Sequence, residues 1–169
     1  MKHPSFQLYN YHKWANNKII THLKELPEEV YSQELKSVFP SIQIVLQHIY
    51  QTDGMWLSVM SGDDFSQTME KIELLKEKSE KKSLADTEIF YSGLNEQFED
   101  FLTSHPDPDK KMTISHPRYG DITTTVSQLV SHVVNHGTYH RGNITAMLRQ
   151  QGHAGVPTDY IFYLYESTS

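Results

Sequence analysis

A chain of 169 residues, 37% hydrophobic and 21% charged, is long enough to enclose one proper core, and its formal net charge of −6 argues against a nucleic-acid-binding face, which needs basic residues. The absence of cysteine excludes disulfides, thiolate metal ligands and a protein-borne thiol nucleophile. No apolar run approaches 18 residues and Met1 to Gln7 lacks a signal-peptide hydrophobic region, so the expectation is a cytoplasmic protein without a membrane segment.

Pro4 suits the first turn of a helix, where its missing N–H is harmless. From Phe6 to Leu26 the pattern is helical, with a stripe that includes Trp14, Ala15, Ile19 and Leu23, interrupted at Phe6, Tyr9, Lys13 and Asn16–Asn17; Pro27 ends it. Residues 28–39 read as a polar loop with apolar anchors at Val30, Tyr31, Leu35, Val38 and Phe39. Pro40 and Ser41 open a second helix, with Ser41 as its cap, running through Ile42, Val45, Leu46, Ile49, Trp56 and Met60 to Ser61-Gly62. His48 lies on the flank of its stripe. Asp53 lies on the stripe itself, which is unusual for a carboxylate. Two readings stand level for Asp53: a snorkelling or helix-pairing residue, or a partner that orients a histidine or binds an arginine. Trp56 is most simply core.

Residues 63–82 are polar and rich in Lys and Glu from 71 on, as expected of a solvated helix end and a loop. A third helix starts near Ser83 and carries Leu84, Ile89, Phe90, Leu94, Phe98, Phe101 and Leu102, ending before Pro106. Lys111 to His116 then alternates, Pro117 to Gly120 reads as a turn and Asp121 to Thr125 is rich in Thr, predicting a short β-hairpin with His116 exposed. A last helix covers about Thr125 to Gln151, with Gly152 as its stop. The aromatic segment Thr158 to Leu164 packs back on the rest. There are no repeats and no long linker. The expectation is therefore an all-α, single-domain (1–169) four-helix bundle with a short β-hairpin before the last helix.

The chemistry lies in the last helix. His132, His136 and His140 stand four residues apart, so they form a ladder on one helix face. Advancing 100° per residue, His136 and His140 fall within the stripe of Leu129, Val133, Ile144 and Met147, whereas His132 falls nearer the rim. Buried imidazoles must satisfy both ring nitrogens, and the neutral ring is a common metal ligand. Gly137 and Gly142 weaken a helix, and their presence beside the histidines predicts close approach of another helix or a ligand. Bundles build metal sites from inward side chains on facing helices, which makes His48 the natural third ligand. Tyr50, Asn135, Tyr139 and Arg141 lie near these histidines in sequence and are candidates to position a substrate, although packing or solvent is the plainer reading of each. Arg141 is expected to point away from the pocket, toward a carboxylate or a partner chain. No HExxH occurs and no Ser/His/Asp arrangement stands out, so no catalytic or cofactor-binding residue is assigned beyond the ligands.

Together these segments resemble the DinB-like family (the DinB/YfiT superfamily) over nearly the whole length. Tyr11 to Asn17 is similar to the family's first-helix signature. His48, Asp53, Trp56 and Leu57 are similar to its second-helix pattern, His132 to Asn143 to its last-helix pattern, and Thr158-Asp159 with Ile161 to Leu164 to its C-terminal signature. Asn143 stands where many members carry Gln. The resemblance implies an up-down-down-up bundle, commonly a homodimer, and a divalent metal on His48, His136 and His140. Zinc, nickel and ferrous iron all suit such donors. The function then expected is a divalent-metal-dependent enzyme acting on a small molecule. It is either a thiol S-transferase using a low-molecular-weight thiol from outside, as in related members, or a hydrolase using a metal-activated water. The alternative is a metal-binding stress protein without turnover.

Overall fold

The computed structural model describes residues 3–167. In chain order the elements are α1 (Pro4–Lys24), α2 (Glu29–Ser32), α3 (Ile42–Met60), α4 (Phe65–Ser79), α5 (Leu84–Ser104), β1 (Lys111–His116), β2 (Gly120–Thr125), α6 (Val126–Gln150) and α7 (Tyr160–Ser167). The four long helices α1, α3, α5 and α6 form the bundle.

Each long helix begins where a side chain takes up free backbone N–H groups. The His3 side chain accepts from Ser5 N, Ser41 from Ile44 N and Thr125 from Gln128 N, while Ser83 and Asp86 form a reciprocal capping box. α6 stops at Gly152, whose φ of +80° is open to glycine at no steric cost.

Cross-helix contacts set the directions. His3 reaches Asp109, just before the hairpin that feeds α6, and His22 near the end of α1 reaches the Ala154 carbonyl beyond α6, so α1 and α6 run the same way. α3 opposes α6: His48 meets His136 and His140, whereas Trp56 meets His132. α5 opposes α1, with Glu88 on Lys24 and Asn95 on Tyr9. This is the up-down-down-up arrangement.

Consecutive helices that point the same way need a return connection, and α4 supplies it between α3 and α5. The Lys/Glu-rich segment expected as helix end and loop is thus largely a 15-residue helix, capped by an Asp64–Gln67 box. Its exposed face carries the charges. Leu75 packs on α3 at Gly54, where an added Cβ would come within 2.5 Å of Leu75 Cδ1. The expected loop at 28–39 also contains one helical turn, α2, which buries Val30 and Tyr31.

The core is drawn from all four long helices: Ile19, Leu46, Ile49, Phe98, Val133 and Ile144 are essentially inaccessible. Each such side chain contributes about 1.5–3 kcal/mol through burial. The α1 stripe differs from expectation, since Tyr9 and Asn16 lie within it rather than interrupting it. Tyr9 stacks on Phe98 at 4.2 Å and donates its hydroxyl to Asn95. α7 packs its Tyr160 and Tyr163 on Tyr11 and Trp14 of α1. In the hairpin Lys111 pairs with Thr125 and His116 with Gly120. His116 is exposed, as expected, and its Nδ1 accepts from the turn amides of Arg118 and Tyr119. Among the described residues no helix is long and apolar enough to cross a membrane.

Candidate metal centre

α3 and α6 cross so that His48 comes opposite the turn carrying His136 and His140. One ligating nitrogen from each lies within 4.8 Å of the other two. The ring centroids are 4.9 Å (His48–His136), 4.5 Å (His48–His140) and 4.3 Å (His136–His140) apart. Nε2 of His48 stands 3.1 Å from Nε2 of His136. Metal–nitrogen bonds of about 2.0–2.1 Å at tetrahedral angles put two donors roughly 3.3 Å apart, so this pair stands at ligand spacing.

The three residues expected as ligands are therefore brought together. Their burial differs from the expected inward pair: His140 is buried at 7% exposure, while His136 and His48 are half-buried. The trio sits at the edge of the core, with His48 and His136 partly accessible to solvent. His132 is exposed at the rim and edge-on to Trp56, which is half-buried rather than central.

Burial disfavours a charged imidazole. It lowers the pKa of all three rings, and His136 is taken down to about 3 by burial and then by the positive charge its neighbours His140, His48, His132 and His12 would carry. Three neutral donors converge, which is the state a divalent cation needs. His136 Nδ1 is buried without a hydrogen-bond partner, and His140 Nδ1 faces the Asn143 amide at 3.3 Å. As placed, Asn143 Nδ2 donates toward His140 Nδ1, so a metal held through His140 Nε2 needs that amide turned over. The donor set fits a divalent ion.

Beneath this trio lies a polar cluster that links α1, α3 and α6. His12 is fully buried, with Nε2 2.8 Å from Asp53 Oδ2. Arg141, also buried, reaches His12 Nδ1 at 3.3 Å, Asn16 Oδ1 at 2.8 Å and Thr138 Oγ1 at 2.9 Å. A guanidinium only donates, so His12 Nδ1 accepts and its proton sits on Nε2, directed at Asp53. Asn16 Nδ2, 2.9 Å from the same Nε2, is then in contact without bonding it.

Asp53 therefore orients a histidine, but His12 rather than a metal ligand. Arg141 points away from the pocket, as expected, yet into the core and onto Asn16, His12 and Thr138 instead of a carboxylate or another chain. Gly137 makes room for the cluster, since a Cβ there would lie 2.3 Å from His12 Cε1. Gly142, expected to serve the same purpose, has no neighbour within 4 Å. Tyr50 faces Phe90 and Tyr91 of α5, away from the histidines, and Asn135 is exposed; neither joins the site. Tyr139 is exposed but edge-on to His140 at 5.0 Å.

Residues that sequence reasoning passed over are His12, Asn16 and Phe39, the last packed against both His48 and His140. A signal existed for two of them: His12, Asn16 and Ile19 share one helix face by their spacing.

A model of the DinB family matches residues 1–168. Protein DinB of Bacillus subtilis (strain 168) is 50% identical over 161 residues, which cover 95% of this chain and 94% of that protein.

Proposed function

The chain belongs to the DinB family, and from that premise we propose that it is a divalent-metal-dependent enzyme whose ion is held by His48, His136 and His140, with thiol S-transferase chemistry on a small electrophile. The observation that carries this reading is the convergence of one neutral imidazole from α3 with two from α6.

When bound, a zinc, nickel or ferrous ion would supply Lewis acidity and make a coordinated thiol or water easier to ionise. The chain's own residues supply the rest. Three neutral ligands leave the charge of a divalent ion uncompensated, which favours an anionic co-ligand such as a thiolate. The chain has no cysteine, so that thiol comes from outside. His140 is held by Asn143, and the half-exposed His48 and His136 leave an approach from solvent. The buried His12–Asp53–Arg141 cluster holds α1, α3 and α6 in the register on which the histidine convergence depends.

The test is elemental analysis of protein purified without a histidine tag, comparing the unaltered chain with His136→Ala. The expected result is about one metal ion per chain, lost in the variant. Metal-dependent conjugation of a small thiol with a chromogenic aryl halide is then expected. A chain that takes up none of zinc, nickel, manganese or ferrous iron overturns the metal reading. A chain that binds metal and is stabilised by it, yet turns over neither a thiol nor a hydrolase substrate, is a metal-stabilised protein without enzymatic activity.

A further inference from the structure

One side of the histidine trio is closed by an aromatic ring that the metal chemistry itself does not require. The Phe39 centroid lies 5.4 Å from that of His48, at 37°, and 5.4 Å from that of His140, edge-on at 79°. It contacts two of the three candidate ligands. The ring comes from the short segment between α2 and α3, which is tied back on itself. Leu35 N donates to Pro40 O at 2.8 Å, and Ser37 N to Leu35 O at 3.1 Å. Ser41 then caps α3, and on the other side α2 is anchored by buried Val30 and Tyr31. Phe39 is thus presented by a braced turn rather than a free loop.

Tyr139 stands against His140 as a second aromatic wall. Among the described residues, no charged side chain hydrogen-bonds any of the three rings; outside the trio their one such side-chain contact is the Asn143 amide. On the side of Phe39 and Tyr139, the named walls therefore offer shape and apolar contact to what enters beside the ligands.

We propose that Phe39 is the specificity-determining residue of this site, setting the width open to a ligand beside His48 and His140, with Tyr139 as the outer wall. The proposal rests on the three-histidine metal reading. It admits small or slim groups and refuses bulky ones.

Cobalt-loaded protein tests it through the visible absorption of the ion. Azide, imidazole and 4-phenylimidazole are titrated into the unaltered chain, Phe39→Leu and Phe39→Ala. The unaltered protein is expected to bind 4-phenylimidazole at least about tenfold more weakly than imidazole, the scale on which an apolar pocket discriminates by size. Phe39→Ala removes that difference, Phe39→Leu reduces it, and azide and cobalt affinities stay the same. If cobalt and every ligand weaken in parallel, Phe39 merely supports the histidines and the proposal fails. It fails equally if discrimination survives in Phe39→Ala. A chain that takes up no cobalt defeats the metal reading itself, which is a different outcome from cobalt bound without size selection.

Discussion

His12 of α1 donates from Nε2 to Asp53 Oδ2 of α3 across 2.8 Å, with both side chains almost wholly shielded from solvent. Bonds between helices made at zero exposure are strong constraints, because neither group has water to fall back on. Arg141 of α6 closes the cluster on the other ring nitrogen. Three of the four bundle helices are thereby fixed at one level.

Removing Asp53 should therefore cost more than its contacts suggest. In Asp53→Leu the His12 N–H loses its acceptor, and an unsatisfied buried donor costs about 1–3 kcal/mol. Arg141 also loses the carboxylate whose charge favours its protonated form. Urea unfolding should show a loss at or above the top of that range. A loss under about 1 kcal/mol would mean that the cluster contributes little.

Gly137→Ala is a second probe of the same cluster, approached through space instead of charge. Alanine gains about 1 kcal/mol over glycine in a helix interior. Overpacking a closed core costs about 1–3 kcal/mol. The new methyl would stand 2.3 Å from His12 Cε1 and 2.9 Å from Arg141 Nη1, so overpacking should win. The expected result is a lower urea midpoint with an unchanged slope, whereas Gly142→Ala, with nothing within 4 Å, should stabilise.

These two glycines also show how far the sequence could be read. The trio was legible because helical spacing and phase are local: His136 and His140 share a face by arithmetic, and bundle logic brings His48 to them. The distinction between Gly137 and Gly142 was not legible, since it depends on His12, more than a hundred residues earlier. The role of Asp53 was readable only as a choice. His12 looked like one polar residue among several on α1 until Asp53 and Arg141 closed on it, 41 and 129 positions away. α4 was hidden for a different reason. Its buried polar residues are only Thr68 and Ser79, so its composition is that of a solvated face even though it is regular helix. Phe39 sits in irregular backbone, where no periodicity says which way a ring points.

Acid should expose the histidines in the metal-free protein. The folded-state pKa of His136 is depressed from 6.5 to about 3, chiefly by burial. A depressed pKa means that the unfolded chain binds the proton more readily, so the stability tied to the neutral ring is complete above pH 6.5 and is lost as pH falls toward 3. Burial lowers His48 and His140 in the same direction. Urea midpoints of the metal-free chain should hardly respond to these groups between pH 8 and 7 and should drop below 6.5. His136→Phe, which keeps a ring but cannot protonate, should flatten that acid limb. An equal slope in both proteins would show that the histidine does not govern it.

Asn143 should decide which nitrogen of His140 is free for a metal. Its Nδ2 lies 3.3 Å from His140 Nδ1. With the NH₂ group donating there, the ring proton is forced onto Nε2, the atom needed at the centre. Turned over, the amide oxygen accepts from Nδ1–H and leaves Nε2 unprotonated. Metal loading selects the second arrangement, and partners of this kind are worth about 10–100-fold in metal affinity. Asn143→Leu should therefore lower affinity on that scale in a chelator competition, while Asn143→Gln, with the same amide on a longer stem, should recover much of it. Nitrogen chemical shifts of His140 should report Nδ1–H in the unaltered, metal-loaded chain and a mixture of tautomers in metal-free Asn143→Leu. An affinity unchanged in the leucine variant would mean that His140 is oriented by Phe39 and Tyr139 packing alone.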